Sequence, residues 1–161
     1  MDLRRSLSRQ QEGFTLIELM VVVLIIAILI AIAIPTFLGQ RRRAQDRAGQ
    51  SNLRNGLVVG KTFYTDNQTY VGFDTADGEA IEPSVTWSDT TAVAGAPTQD
   101  EVKIVTGVLS ASDLLLVTLS ASGTFFCITE RSVADGGTGY GQGATYDAVD
   151  TVAECNATAD W

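Results

Sequence analysis

The sequence contains no histidine. That absence removes imidazole acid–base catalysis, Ser-His-Asp triads and histidine metal sites. Cysteine is almost as scarce: Cys127 and Cys155 are the whole complement, so no Cys-x-x-Cys pattern exists. Positive charge is nearly missing from residues 62–161, where Lys103 and Arg131 face fifteen acids. So acidic a body disfavours a stable nucleic-acid partner, because duplex affinity comes largely from neutralising phosphates. It favours solubility outside a cell. No phosphate-cradling glycine loop and no nucleophile elbow occur. An enzyme is therefore the weakest reading, and no cofactor or metal is expected.

What is present is unevenly placed. From Phe14 to Leu38 only Thr15, Glu18, Pro35 and Thr36 interrupt an apolar run, and the 22 residues from Leu19 to Gln40 carry no charge. About 20 apolar residues suffice to cross a bilayer as a helix. A secretory signal is excluded, since its apolar region is only about 7–15 residues long and ends in a small-residue cleavage site. An ordinary membrane anchor is not excluded by composition. Glu18 argues against one, because a carboxylate inside a membrane helix costs about 2.5–3.5 kcal/mol at the centre and less near an end. Beyond the run, residues 41–61 hold six basic residues and a single acid, Asp46. This basic collar, led by Arg41, Arg42, Arg43 and Arg47, precedes the acidic body.

The segment Gly13-Phe14-Thr15-Leu16-Ile17-Glu18-Leu19-Met20, followed by an aliphatic helix, resembles the processing and methylation signature of type IV pilins and related pseudopilins. The likeness covers about residues 13–40. It implies a leader, residues 1–13, removed by a prepilin peptidase between Gly13 and Phe14, and N-methylation of the new Phe14 amine. It implies residues 14–40 as a transmembrane and filament-core helix, with assembly resting on Phe14, Glu18 and Pro35. Glu18 of one subunit would meet the Phe14 amine of its neighbour, since a buried charge is tolerable only when paired. Gly suits the cut because an extended backbone there meets no side chain. Pro35 removes a helical hydrogen bond to the carbonyl of Ala31. That marks either a kink, with local unwinding once helices pack in a filament, or simply the membrane exit. The partners implied are copies of the chain itself, the peptidase, the pilus assembly machinery and membrane lipid. The implied location is the cytoplasmic membrane with the leader inside, then an extracellular pilus. The three arginines of the leader against four in residues 41–47 run against the positive-inside rule, so that orientation rests on the resemblance alone.

The remaining sequence reads as α+β. A weak apolar stripe of Ala44, Ala48, Leu53, Leu57, Gly60 and Tyr64 continues the helix through residues 41–66, ending at Thr65-Asp66-Asn67-Gln68. Leu53, Leu57 and Tyr64 would be buried against an antiparallel sheet within residues 67–161. Strands are expected at 102–108, 114–119 and 124–130, the last two joined through Ser-Ala-Ser-Gly, with 85–88 as an edge. The glycine-rich stretch 135–143 reads as a surface loop. Cys127 and Cys155 in an exported domain read as a disulfide closing the C-terminal loop, worth roughly 3–4 kcal/mol; the alternative is two buried thiols. The acids between Asp74 and Glu82 read as a solvated loop rather than a calcium site, for their spacing does not fit an EF-hand. Two function classes rival a pilus subunit: a pseudopilin of a secretion or competence system, and an unprocessed, membrane-anchored binding module.

Overall fold

The structure, a computed structural model, describes residues 13–88, 98–105, 109–133, 136–157 and 161. The leader up to residue 12 lies outside these, as do the end of the strand expected at 102–108 and part of the loop expected at 135–143. The chain divides into two units, Met1–Gly39 and Gln40–Trp161.

The first unit holds the opening of helix α1 (Leu16–Asn67). Its Val and Ile residues are poor helix formers in water. In lipid the ranking loses its force, because every backbone N–H and C=O must be satisfied within the segment and a helix does that. The apolar side chains from Phe14 to Leu38 are all exposed, and α1 is long and apolar enough to cross a membrane. The helix is continuous through Pro35 and Gly39. Thr36 Oγ1 donates to the Ile32 carbonyl at 3.1 Å beside the proline. The local unwinding expected near Pro35 concerns helices packed in a filament, a state that a single chain does not test.

In the second unit α1 lays one face on a five-stranded sheet in the order β1-β2-β3-β4-β5. The strands are β1 (Thr86–Ser88), β2 (Glu101–Ile104), β3 (Asp113–Leu119), β4 (Phe125–Arg131) and β5 (Thr138–Gly143). The buried face of α1 is Gly49, Leu53, Gly56, Leu57, Val59 and Gly60. Of the expected stripe, Leu53, Leu57 and Gly60 are correct, Tyr64 is half-buried against Tyr70, and Ala44 and Ala48 are exposed. Gly49 and Gly56 join the expected Gly60 on this face. They bring the helix backbone down onto the sheet: a Cβ on Gly60 would stand 2.4 Å from Leu114 Cδ2. Helix α1 ends as expected, with Gln68 at φ 57° and its N–H bonded to the Tyr64 carbonyl at 2.7 Å.

Three expectations need correction. The sheet is mixed, because β1 runs parallel to β2 while the other pairs are antiparallel. A strand of three residues carries no sign of its direction, and the twelve residues between Ser88 and Glu101 are about the length that a parallel crossover needs. The glycine-rich stretch is largely strand: β5 pairs with β4 over six residues, Phe125↔Gly143 to Glu130↔Thr138. Its glycines alternate with Thr138, Tyr140 and Gln142, which is a period of two. The acidic segment is helix α2 (Thr75–Ile81), not a loop. Asp74 accepts from the backbone of Ala76 and Asp77, and Asp77 accepts from the Asp74 N–H, which completes a capping box.

Both faces of the sheet are covered, as the unbroken Leu114-Leu115-Leu116-Val117 run of β3 requires. One face packs Leu114, Leu116, Val102, Ile104, Phe126 and Ile128 against α1, Tyr70, Phe73 and Trp87. The other packs Leu115, Val117, Val105 and Cys127 against Tyr146, Val149 and Cys155 of the C-terminal segment. That segment is a 3-10 turn (Tyr146–Ala148) and helix α3 (Val152–Ala157).

Candidate processing and assembly site

Gly13 and Phe14 precede α1 in non-helical backbone. Phe14 is 88% exposed, and no atom lies within 4 Å of where a Cβ on Gly13 would stand. One residue later the helix start is tied off. Thr15 Oγ1 accepts from the Glu18 N–H at 3.3 Å, and Glu18 Oε2 accepts from the Thr15 N–H at 2.9 Å and from Thr15 Oγ1 at 2.7 Å. Two of the four N–H groups that a helix start leaves unpaired are satisfied this way, and the carboxylate lies at the positive end of the helix dipole. Thr15 escaped the sequence reading, although its spacing to Glu18 is the Ser/Thr-x-x-Glu capping pattern. The structure thus sets Gly13 and Phe14 just ahead of α1 and Thr15 and Glu18 at its cap and first turn; Pro35 lies farther along the same helix.

Cys127 and Cys155 form a disulfide with Cα atoms 6.0 Å apart, joining β4 to α3 across 28 residues. Beside it Lys103 is buried, its Nζ 4.7 Å from the Tyr146 ring centre. Burial pushes the Lys103 pKa down, and the nearby Asp150 carboxylate opposes that shift. Burial also pushes the Tyr146 hydroxyl up to about 12. On the opposite side of the sheet Glu130 pairs with Lys61 of α1 at 3.1 Å and accepts from Thr138 Oγ1 of β5 at 2.5 Å. Asp46, the lone acid of the collar, accepts from Ser120 Oγ at 2.8 Å and also from Ser122 Oγ. It therefore holds the β3–β4 turn against α1. The Arg54 guanidinium lies 4.9 Å over the Trp161 ring, whose Nε1 donates to the Cys127 carbonyl at 3.2 Å. Arg41, Arg42, Arg43 and Arg47 are exposed. Among the described residues no group of three or more Cys, Asp or Glu is arranged to hold a metal ion.

The model for the prokaryotic N-terminal methylation motif matches residues 8–34. Among curated proteins, the chain is 41% identical over 73 residues to the type IV major pilin protein PilA of Myxococcus xanthus, covering 45% of this chain and 33% of that protein. It is 37% identical over 65 residues to the type II secretion system core protein G of Aeromonas hydrophila, covering 38% and 43%. The chain thus spans less than half the length of these two relatives. The match to the fimbrial protein of Dichelobacter nodosus is longer: 34% identity over 114 residues, covering 64% of this chain and 71% of that protein. With a methylation-motif start, a long apolar-to-amphipathic helix on a sheet and a relative matched over most of its length, the chain belongs to the type IV pilin family.

Proposed function

We propose that this chain is the precursor of a filament subunit of the type IV pilus kind. It is stored in the membrane through residues 14–40, cut by a prepilin peptidase after Gly13, methylated on the Phe14 amine and polymerised with copies of itself. The observation that carries this reading is the placement of Glu18. It stands at the third helical position, just behind an open Gly13–Phe14 junction, in a helix whose other side chains up to Leu38 are almost all apolar and exposed. Such a surface has two natural coverings, lipid during storage and sister helices in a filament. In the second, Glu18 of one copy pairs with the Phe14 amine of the next, and a copy inserted out of step leaves a charge buried without a partner. Residues 41–66 and 67–161 then form the outward body, and the role is structural rather than catalytic. Adhesion, motility and DNA uptake are the uses open to a surface filament of this kind.

The identity to core protein G supports a second reading, a pseudopilin building a short rod within a secretion system. Intact-mass spectrometry separates the readings. A species from N-methylated Phe14 to Trp161, two hydrogens light for the disulfide and recovered in filaments sheared from cells, is the expected result. The same species found only in membranes favours the pseudopilin. A chain retaining Met1–Gly13 in every fraction overturns both and leaves an unprocessed anchored module.

A further inference from the structure

The second unit is charged unequally along α1. At its base Arg41, Arg42, Arg43 and Arg47 are exposed and make no ion pair among the described residues. The basic residues that follow on α1 are engaged: Arg54 stacks on Trp161 and Lys61 pairs with Glu130. At the other end Asp66 lies in the last turn of α1, and Asp74 and Glu79 follow on or beside α2. All three are exposed and make no ion pair among the described residues. The chain doubles back there, since Tyr70 packs on Tyr64 and Phe73 on Phe63 with ring centres 4.7 and 5.1 Å apart. Asp66 and Asp74 therefore lie by the far end of the helix, while α2 carries Glu79 back along it, since Gly78 packs on the Trp87 ring that also faces Gly56.

At 1.5 Å per residue, the collar stands about 30 Å from Asp66 along α1, with Glu79 nearer but still more than one turn away. Charges at that distance are screened within one copy, because the Debye length at physiological salt is about 8 Å. The two patches complement each other only between copies displaced along the helix axis. We infer that the Arg41–Arg47 collar of one copy docks on the Asp66, Asp74 and Glu79 tip of another, joining copies base to tip. The inference rests on the polymer reading above. Lipid phosphates would also suit four arginines, but they leave the acidic tip without a counterpart, and the matched pair favours a second copy.

The test is a charge swap in the full-length chain, in cells. Arg43→Glu with Arg47→Glu, and separately Asp66→Lys with Glu79→Lys, are expected to lower sheared-filament yield at least tenfold. The amount of processed chain in the membrane is expected to stay unchanged. Combining all four changes is expected to restore most of the yield, and Arg43→Lys with Arg47→Lys to leave it near wild type. Normal yield from either reversed pair overturns the inference. So does a combined variant no better than the collar variant, or a collar variant lost from the membrane itself, which points to lipid. An unprocessed wild-type chain defeats the polymer reading instead, and is seen in the same blots.

Discussion

Glu18 is bonded to Thr15 in the single chain, and in the filament proposed above its partner would be a neighbour's Phe14 amine. The two demands separate cleanly by substitution. Glutamine at position 18 still accepts from the Thr15 N–H, and a capping box tolerates it, so Glu18→Gln is expected to leave helix start, membrane storage and cleavage intact. Filament yield is expected to fall at least tenfold, read by shearing and blotting; an unchanged yield would remove charge pairing from the account. A second residue-scale case concerns acid. The Arg131 side chain, bonded to Asp113 at 2.8 Å, holds that carboxyl below its ordinary 3.8, with Ser110 adding a hydrogen bond. A lowered folded-state pKa contributes stability that is present above the unfolded value and disappears as pH falls through the folded one. Asp113→Asn is therefore expected to lower the thermal midpoint at pH 7 and to converge on wild type as pH falls through the lowered folded-state value, checked by circular dichroism from pH 7 into the acid range. The expectations for Gly13, Phe14 and Glu18 rest on signals local in sequence. Arg54 over Trp161 was not, since 107 positions separate the two and only the folded sheet joins them.

At the scale of elements, local chemistry was legible where it repeats within a few residues. Ser120 to Gly123 form the turn expected between β3 and β4, with Gly123 at φ 93°. The C-terminal end of α1 was legible too. β5 was not, because five glycines in nine residues are the ordinary mark of a loop. What makes them strand is the packing. A Cβ on Gly139 would stand 1.9 Å from Asn156 Oδ1 and 2.6 Å from Thr129 Oγ1, and one on Gly143 would stand 2.9 Å from the Ala148 Cβ. Only a bare strand lets the C-terminal segment lie so close. Gly139→Ala is expected to cost about 1–3 kcal/mol by forcing that segment off β5. Chemical denaturation of the detergent-solubilised chain measures it, with loss of the Thr129–Asn156 contact as the structural correlate. The same logic accounts for Gly49 and Gly56, which a hydrophobic-stripe search overlooks since glycine contributes no apolar side chain.

At the scale of the whole molecule, the α+β class and the long helix were readable from composition and periodicity. The parallel direction of β1 and the second covering of the sheet were not, because both depend on contacts distant in sequence. That second covering leans on one covalent link. Cys127→Ser with Cys155→Ser is expected to cost roughly 3 kcal/mol, lowering the thermal midpoint on the order of 10 °C. Proteolysis at the C-terminal segment is expected to rise, while the α1 face stays protected. The asymmetry imposes a sequence of events on maturation. The face under α1 is sealed by contacts that need no oxidant, whereas the face bearing Leu115 and Val117 is locked only after the sulfurs join. A copy held in a reducing compartment is thus a half-finished article with one greasy side loosely lidded, visible to quality-control proteases. Under the filament reading proposed above, the bond would close the body only once it has reached the oxidising side of the membrane, before a copy joins the polymer.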